Sequence, residues 1–269
     1  MPITLPASIE SALRNTHSSW HEILLGALQA LQEAYPSYLP ELALDTYLPT
    51  DGRLFAAFKQ PLGDVRYILV GEGPYPRAAS ATGVCFMDGA VGSLWSDDAE
   101  GGLSKSVNRA TSLRNWMKML MVASGRLSLD QLNAEHIAII AKQARAPGSP
   151  ITQSLIAFQE NLEKHGFLLV NASLVFREHV APVKEAKPWQ IFFLHVLSYI
   201  ARHAQHQALP MPTLVLWGKI AAQLQQFPML GQFPQICAEH PYNLSFIANA
   251  QMHALFAGMD LLQLNHDSP

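Results

Sequence analysis

Four short runs of apolar residues stand out along the chain, and each predicts a β-strand. The first three are almost continuous in apolar side chains, as expected for strands covered on both faces of a parallel sheet. The runs are Tyr67 to Val70, Phe167 to Val170, Leu214 to Trp217 and Gln235 to Ala238. Because parallel strands are joined by crossover connections, the pattern also predicts helices between them.

Segments with helical spacing of apolar residues lie before, between and after these runs. The first, which predicts an amphipathic helix ended by Pro36 and Pro40, has apolar residues at Trp20, Ile23, Leu24, Ala27, Leu28 and Leu31. Further helices are predicted around residues 113–122, 151–164, 189–204 and 219–225, with a last one from about 249 to 262. Strands that alternate with helices predict an α/β fold, in which a central four-stranded parallel sheet forms the middle of three α/β/α layers.

The order of these segments predicts a single domain over residues 18–263. Residues 1–17 precede the first clear helical pattern, and we expect them to be loosely ordered. Two stretches have the character of insertions, near residues 88–108 and 127–150. The first is rich in glycine and carries Asp97, Asp98 and Glu100, and the second ends in the chain-breaking sequence Pro-Gly-Ser-Pro.

The composition narrows the possible classes of protein. The 269 residues are 49% apolar and 14% charged, which favours a packed core over a disordered chain. The net charge of −3 gives no bulk attraction for nucleic acid, so a nucleic-acid role needs a local basic surface. The two cysteines, Cys85 and Cys237, are too few for a four-cysteine zinc or iron–sulfur site. The first residues lack the features of a signal peptide and no long apolar run predicts a membrane span, so we expect a cytoplasmic protein.

Polar side chains follow three of the predicted strands at the point where each strand ends. The sequence Gly-Glu-Gly-Pro-Tyr-Pro, with Glu72 as its second residue, follows the first strand, Asn171 follows the second, and His240 follows the fourth. Ligands of open parallel sheets bind at the carboxyl ends of the strands, so we expect these three groups to face one crevice. The alternatives are a solvated carboxylate for Glu72, an Asx turn for Asn171 and a structural histidine for His240.

The chemistry of these side chains suits a flat, polar ligand such as a pyrimidine. A carboxylate can orient water, and a carboxamide presents one acceptor and two donors to a base edge. A neutral imidazole can donate a hydrogen bond to a developing oxyanion. Phe86 lies a short loop after the first turn and is expected to form a stacking wall.

Six motifs, in the same order, resemble those of the family-1 uracil-DNA glycosylases. RLFAAFKQPLGDVRYILV leads into GEGPYP and ATGVCF, which are similar to the family's GQDPYH and A-x-G-L-x-F. Further on, SLRNWMKML, LLVNASLVF, LVLWGKIAAQL and EHPYNLS resemble the family's PSLxNIxKEL, LLLNxxLTV, LLWGxxA and HPSPLS. The similar stretches cover roughly residues 19 to 262.

The resemblance implies a base-recognition site. Members of the family hydrolyse the N-glycosidic bond of deoxyuridine in DNA after extruding the base from the helix. Phe86 would stack on the extruded uracil, and Asn171 would read its O4 and N3 edge. Tyr75 would fill the space of a thymine methyl group, and Gly71 and Gly73 would belong to the same base-binding turn.

The resemblance also implies groups that handle charge and DNA. His240 would stabilise negative charge on uracil O2 as the glycosidic bond breaks. Leu244 would enter the base stack in place of the extruded nucleotide. Ser112, Gly218 and Ser245 would contact DNA phosphates.

The chain departs from the family at the residues that activate water. Gly73 stands where the family has its catalytic aspartate, Pro76 replaces a histidine, and Tyr242-Asn243 replaces Ser-Pro. Glu72 lies one position earlier and is the candidate replacement for the aspartate. GEGP is similar to a motif of the thermophile-type glycosylases, which hold an iron–sulfur cluster on four cysteines. Because this chain has two cysteines, no cofactor is implied.

Three hypotheses follow for the function. The first is a glycosylase that acts on uracil-containing DNA, as a monomer and without a metal, with Glu72 and His240 as its catalytic residues. The second is a weak or inactive relative that binds DNA or a flipped base. The third is a protein–protein adaptor that keeps only the fold.

Overall fold

The structure is a computed structural model that describes residues 4–98 and 101–264. Four strands form one sheet: β1 Tyr67–Gly71, β2 Phe167–Asn171, β3 Thr213–Trp217 and β4 Gln235–Ala238. The strand order is β2-β1-β3-β4, and β1 pairs in parallel with both β2 and β3. Helices flank the sheet, so the predicted α/β fold with four parallel strands is confirmed.

Each of the six predicted helices has a counterpart in the structure, although their ends differ, and the described residues contain four further α-helices. The described residues form α1 Ala7–Arg14, α2 His21–Ala34, α3 Tyr38–Ala43, α4 Lys105–Arg109, α5 Thr111–Ala123, α6 Ala134–Ala144, α7 Leu155–Lys164, α8 Pro182–His206, α9 Lys219–Gln225 and α10 Ala250–Phe256. The four further helices are α1, α3, α4 and α6. α8 begins seven residues before the predicted start because Pro182 occupies its first turn, where proline is tolerated. α10 ends at Phe256, earlier than the predicted 262.

The N-terminal segment is more ordered than we expected from its sequence. α1 covers Ala7–Arg14, within the range predicted to be loose. Its residues Ile9, Ala12 and Leu13 are buried, and their spacing of three and four positions places them on one helical face. This short amphipathic pattern explains the order of the segment.

The chain divides into two compact units, where the sequence predicted one domain. The first comprises the described residues up to 87 together with 166–216 and 222–235. Its core includes the packing of α2 against α8. Phe55 stacks on Phe192 with ring centroids 6.0 Å apart, and Trp189 meets Phe192 edge-on at 5.3 Å.

The second unit comprises the described parts of 88–165, 217–221 and the residues from 236 onward. Trp116 of α5 is fully buried at its centre, with ring centroids 4.9 Å from Trp217 and 5.2 Å from Phe158. The insertion predicted near 88–108 is attached to this core, because buried Trp95 donates its indole N–H to the Thr152 carbonyl at 2.7 Å. The stretch near 127–150 contains α6.

The described residues contain no candidate membrane-spanning helix. None of their helices combines the length and the apolar character that a membrane span requires.

Candidate functional site

The ends of β1 and β2 meet side by side in the first unit. Gly71 is the register partner of Asn171, whose side chain is 4% exposed. A Cβ added to Gly71 would lie 2.5 Å from Asn171 Oδ1 and 2.7 Å from Cys85 Cβ, so no other residue fits. Gly71 therefore allows the Asn171 carboxamide to lie directly against the backbone of the turn.

The turn after β1 is held to the segment after β2 by two backbone hydrogen bonds. Ala172 donates its N–H to the Gly71 carbonyl at 2.8 Å, and Ser173 donates to the Glu72 carbonyl at 3.1 Å. These bonds fix the backbone of Glu72 while its side chain is exposed. Tyr75, further along the turn, is half-buried.

Gly73, where the motif resemblance predicts an aspartate, has space for a side chain. An added Cβ would lie 3.7 Å from the Ser173 carbonyl oxygen and 3.8 Å from Ser173 Cβ, which is ordinary contact. Its φ is not in the left-handed region, unlike that of Gly83 at +83°. The backbone therefore does not require glycine at residue 73.

A cavity of about 330 Å³ lies beside this turn within the first unit. Glu72, Gly73 and Ser173 line it on one side, and Arg177 and Glu185 line it further along. Two carboxylates and one guanidinium give its polar wall an excess of negative charge. Such a wall suits water or a developing positive charge better than an anionic group.

A buried ion pair closes one end of the cavity. Arg177 donates to both carboxylate oxygens of Glu185, at 2.7 and 3.2 Å, and to Asp45 at 3.2 Å. Tyr38 donates its hydroxyl to Glu185, and burial together with this bond raises the pKa of Tyr38. Burial alone would lower the pKa of Arg177, but its hydrogen bonds and charge interactions with Glu185 and Asp45 outweigh burial and raise it. Arg177 therefore keeps its positive charge at neutral pH.

Phe86, the predicted stacking residue, has a backbone conformation that large side chains rarely adopt. Its φ is +61°, in the left-handed region. The Thr82 hydroxyl supports this bend, because it donates to the Met87 carbonyl at 2.9 Å and accepts the Val84 N–H at 3.2 Å. Strain of this kind persists where the surrounding structure holds it and is frequent at functional sites.

Cys85, which precedes Phe86, is a structural thiol. Its backbone N–H donates to the Leu169 carbonyl and its Sγ to the Leu69 carbonyl, both at 3.3 Å. Burial raises the pKa of Cys85, so the thiol stays neutral. Cys85 thus ties the loop that carries Phe86 to β1 and β2.

In the second unit, His240 is held in one orientation by two neighbours. The Tyr242 backbone N–H donates to His240 Nδ1 at 3.1 Å. A Cβ added to Gly218 would lie 2.8 Å from His240 Cβ, and the φ of Gly218 is +72°. Because Nδ1 accepts a hydrogen bond, the neutral ring holds its proton on Nε2. His240 therefore presents a donor at Nε2.

Asn115 of α5 anchors the segment that carries His240, a role that the sequence analysis did not predict. Its side chain is fully buried, and Nδ2 donates to the carbonyls of Pro241 at 2.8 Å and Tyr242 at 3.3 Å. The partners are 126 and 127 residues away in the chain. Only its match to the asparagine of the PSLxNIxKEL motif could have drawn attention to it.

Three of the four residues predicted to contact DNA lie on two elements of the second unit, and the fourth, Gly218, follows β3. Ser112 is half-buried in the first turn of α5, where backbone N–H groups favour an anion. Leu244 and Ser245 begin the 3-10 turn Leu244–Ala248, and Leu244 is 70% exposed.

Ser245 is engaged by a carboxylate. Burial acts to raise the pKa of Glu239, but hydrogen bonds from Ser245, its own backbone and Asn249 outweigh it, so the pKa is lowered. Asn249 donates to Glu239 at 2.7 Å. The Ser245 hydroxyl thus has an acidic partner at the position where the resemblance implies a phosphate.

The negative charge of the acidic insertion is partly balanced by Lys105. Asp98 lies 3.6 Å from Lys105 at the surface. Asp97 is exposed, and Glu100, the third acidic residue of the prediction, lies outside the described residues.

The structure contains no candidate metal site within residues 4–98 and 101–264. Those residues contain no group of three or more histidines, cysteines, aspartates and glutamates that could hold an ion.

The structure brings together two pairs of predicted site residues. Within the first unit Gly71 lies against Asn171, and within the second Gly218 lies against His240.

Comparisons with known proteins agree with the motifs. The chain is 37% identical to the wild-type UNG of Nitratifractor salsuginis, with a TM-score of 0.82 and coverage of 94% of both chains. It is 28% identical to the uracil-DNA glycosylase of Corynebacterium glutamicum, over 85% of this chain and 81% of that protein. The mimivirus uracil-DNA glycosylase, at 14% identity and a TM-score of 0.53, shares the fold. No protein-family profile matches the chain.

Proposed function

The chain belongs to the uracil-DNA glycosylase family, and from this premise we propose that it removes uracil from DNA by hydrolysing the bond between the base and deoxyribose. The reaction breaks the N-glycosidic bond, adds water to C1′ of the sugar and leaves free uracil and an abasic site. Relatives named uracil-DNA glycosylase cover most of the chain, which supports this reaction class.

The observation that carries the proposal is the hydrogen bond from the Tyr242 N–H to His240 Nδ1. In a neutral ring this bond places the proton on Nε2, the atom that we propose donates to the leaving base. As the bond to the sugar breaks, its electron pair passes to uracil and charge gathers on O2. A donor already aimed at the oxyanion lowers the barrier by about 2.7–4 kcal/mol in comparable sites.

Glu72 is our candidate for the group that handles water and the sugar cation. The cavity beside Glu72 is large enough for water, and its excess of carboxylates favours positive charge. Glu72 would orient the water, accept its proton and stabilise the oxocarbenium-like sugar. The protonated Glu72 then loses its proton to solvent, which regenerates the carboxylate, and solvent supplies a proton to the uracil anion.

Base recognition rests on side chains of the first unit. Asn171 is buried against Gly71 and presents a carboxamide suited to the O4 and N3 edge of uracil. The strained Phe86 would stack on the flat ring, and Tyr75 would exclude thymine by occupying the space of its methyl group. Extruding the base costs a few kcal/mol, which these contacts offset.

DNA contacts belong to the second unit. Ser112, at the start of α5, would contact a phosphate, and the exposed Leu244 would occupy the gap left by uracil. Gly218 and Ser245 remain predicted phosphate contacts. A monomer that works in the cytoplasm on uracil-containing DNA remains our prediction.

The second candidate function is a DNA-binding protein with little catalytic activity. It is favoured by the lack of a carboxylate at Gly73, where the motif resemblance predicts an aspartate. A positioned base contributes about 10²–10⁴ in rate, and Gly73 supplies none. Binding to abasic DNA without excision would support this alternative. An adaptor that keeps only the fold would bind neither kind of DNA.

The test is single-turnover excision from a duplex that contains one uracil, detected by alkaline cleavage at the abasic site. We expect the wild-type protein to make the uracil strand cleavable by alkali and to leave a thymine strand intact. His240→Ala should reduce the rate about 10²–10³-fold because it removes the oxyanion donor. His206→Ala, an exposed residue of α8, is the matched control and should excise normally. Equal rates for the wild type and His240→Ala would refute this role of His240.

A further inference from the structure

Two bulky side chains project from the segment that carries His240. We call residues 240–245 the His240 loop. Tyr242 is 68% exposed and Leu244 is 70% exposed, although large apolar side chains of this chain are mostly buried. Asn243 between them has an extended backbone, with φ −79° and ψ 138°. Only this residue separates the two exposed side chains, so the loop presents an aromatic ring and the aliphatic wedge within three consecutive residues.

The loop is held rigidly beneath these side chains. Asn115, buried in α5, donates to the carbonyls of Pro241 and Tyr242. The Tyr242 N–H is bound to His240 Nδ1, and the Asn243 N–H donates to the His240 carbonyl at 2.9 Å. A loop whose backbone is already held in place loses less backbone entropy on binding. These hydrogen bonds therefore hold the backbone that carries Tyr242.

The same loop is poor in groups that would bind phosphate. Tyr242 stands where the resembled HPSPLS motif has a serine. The remaining serine, Ser245, is hydrogen-bonded to the Glu239 carboxylate, whose negative charge opposes a phosphate. What the loop offers to DNA is a ring and an aliphatic side chain, and the chemical groups that match them are the faces of nucleobases.

We propose that Tyr242 stacks on a DNA base that flanks the extruded nucleotide, as a second base-contacting residue beside Leu244. This inference rests on the proposed function, because it takes the loop to face uracil-containing DNA. It assigns part of the DNA affinity of this chain to stacking in place of a phosphate contact. Stacking tolerates any base sequence, since every base has a π-face.

The test measures binding to a duplex with a tetrahydrofuran abasic site, by fluorescence anisotropy at several salt concentrations. Tyr242→Ala should weaken binding about fivefold to a hundredfold, the range that loss of one stacked base gives. The slope of log K against log salt should stay unchanged, because each lost phosphate contact would change it by about 0.9. Tyr242→Phe, the matched control, keeps the ring and should bind within about twofold of the wild type.

A second readout reports the contact directly. With 2-aminopurine next to the abasic site, the fluorescence change on binding should persist in Tyr242→Phe and disappear in Tyr242→Ala. The inference is overturned if Tyr242→Ala binds like the wild type, or if Tyr242→Phe is as weak as Tyr242→Ala with an altered salt slope. Neither readout requires catalysis. A wild type that binds in this way without excising uracil would contradict the proposed function and leave the stacking contact supported.

Discussion

Two glycines set how closely the side chains of the candidate site approach their neighbours. Gly71 lets Asn171 lie against the turn after β1, and Gly218 lets His240 lie against the end of β3. A side chain at either position would collide with the group that it now supports. Gly73 is different, because the space around it accepts a Cβ. The backbone therefore does not impose glycine at residue 73, where the motif resemblance predicts a catalytic aspartate.

Restoring that carboxylate should raise the activity. Gly73→Asp is expected to increase single-turnover excision at least about tenfold, because a positioned base contributes about 10²–10⁴. The matched control is Gly63→Asp, at an exposed glycine of the same unit that has no neighbouring atom within 4 Å of an added Cβ. It should leave the rate unchanged. A folded Gly73→Asp protein with the wild-type rate would contradict this prediction. It would show that a second carboxylate adds nothing to the effect of Glu72.

At the scale of elements, α5 connects helix packing to the chemistry of the loop after β4. Trp116 packs in the core of the second unit, and the adjacent Asn115 holds the carbonyls of Pro241 and Tyr242. The position of His240 thus depends on a helix that does not carry it. The Asn115 side chain is a positioning group, since it acts through the loop.

Asn115→Asp should lower excision while Asn161→Asp does not. Both asparagines are buried in the second unit and donate Nδ2 to two carbonyls, at 2.8 and 3.3 Å for Asn115 and at 2.8 Å twice for Asn161. Each substitution loses those donors and should cost about 1–3 kcal/mol of unfolding free energy. Urea unfolding and the single-turnover rate separate the effects. Equal rates in the two variants would remove the positioning role of Asn115.

Packing between α2 and α8 should make stability depend on pH. A Cβ on Gly26 would lie 2.9 Å from His195 Nε2, and burial, with a smaller effect of the Arg202 charge, lowers the pKa of His195. The folded state therefore binds this proton less tightly than the unfolded chain does. The neutral His195 side chain therefore contributes fully to the unfolding free energy above the unfolded pKa of about 6.5. That contribution is lost as the pH falls below this value.

The check is urea unfolding at pH 7.5 and at pH 5.5. The wild type should lose more unfolding free energy at the lower pH than His195→Gln. His206→Gln, at an exposed position of the same helix, should behave like the wild type. Identical pH dependence of the wild type and His195→Gln would contradict the assignment to His195.

The sequence predicted those elements whose pattern is local. β1 and β2 were found because both faces of each strand are apolar, and Asn171 and His240 because they follow strands. The predicted start of α8 lies seven residues late, because this helix contains Pro182 and Pro188 and the local apolar pattern does not show that a helix includes them. Thr82 and Asn115 were missed for a different reason. Their roles depend on hydrogen bonds to carbonyls whose positions only the folded chain defines.

At the scale of the whole molecule, a net charge of −3 has to be reconciled with a polyanionic substrate. The sequence offers local bases in and near α5, among them Arg109, Arg114 and Lys118. Burial and, to a lesser extent, the nearby Arg114 charge lower the pKa of Lys118. Lys118 therefore holds its proton less tightly than an exposed lysine does. Affinity should therefore combine a few phosphate contacts with the stacking assigned to the His240 loop, and its salt dependence should be shallow.

The central claim is that this family member is an active glycosylase in which Glu72 serves in place of the missing aspartate. Single-turnover excision of uracil by the wild type, beside Glu72→Gln and the exposed control Glu178→Gln, tests it most directly. We expect excision by the wild type and Glu178→Gln, and a loss of about 10²–10⁴-fold in Glu72→Gln. A Glu72→Gln protein as fast as the wild type, or a wild type that leaves uracil in place, would contradict the claim.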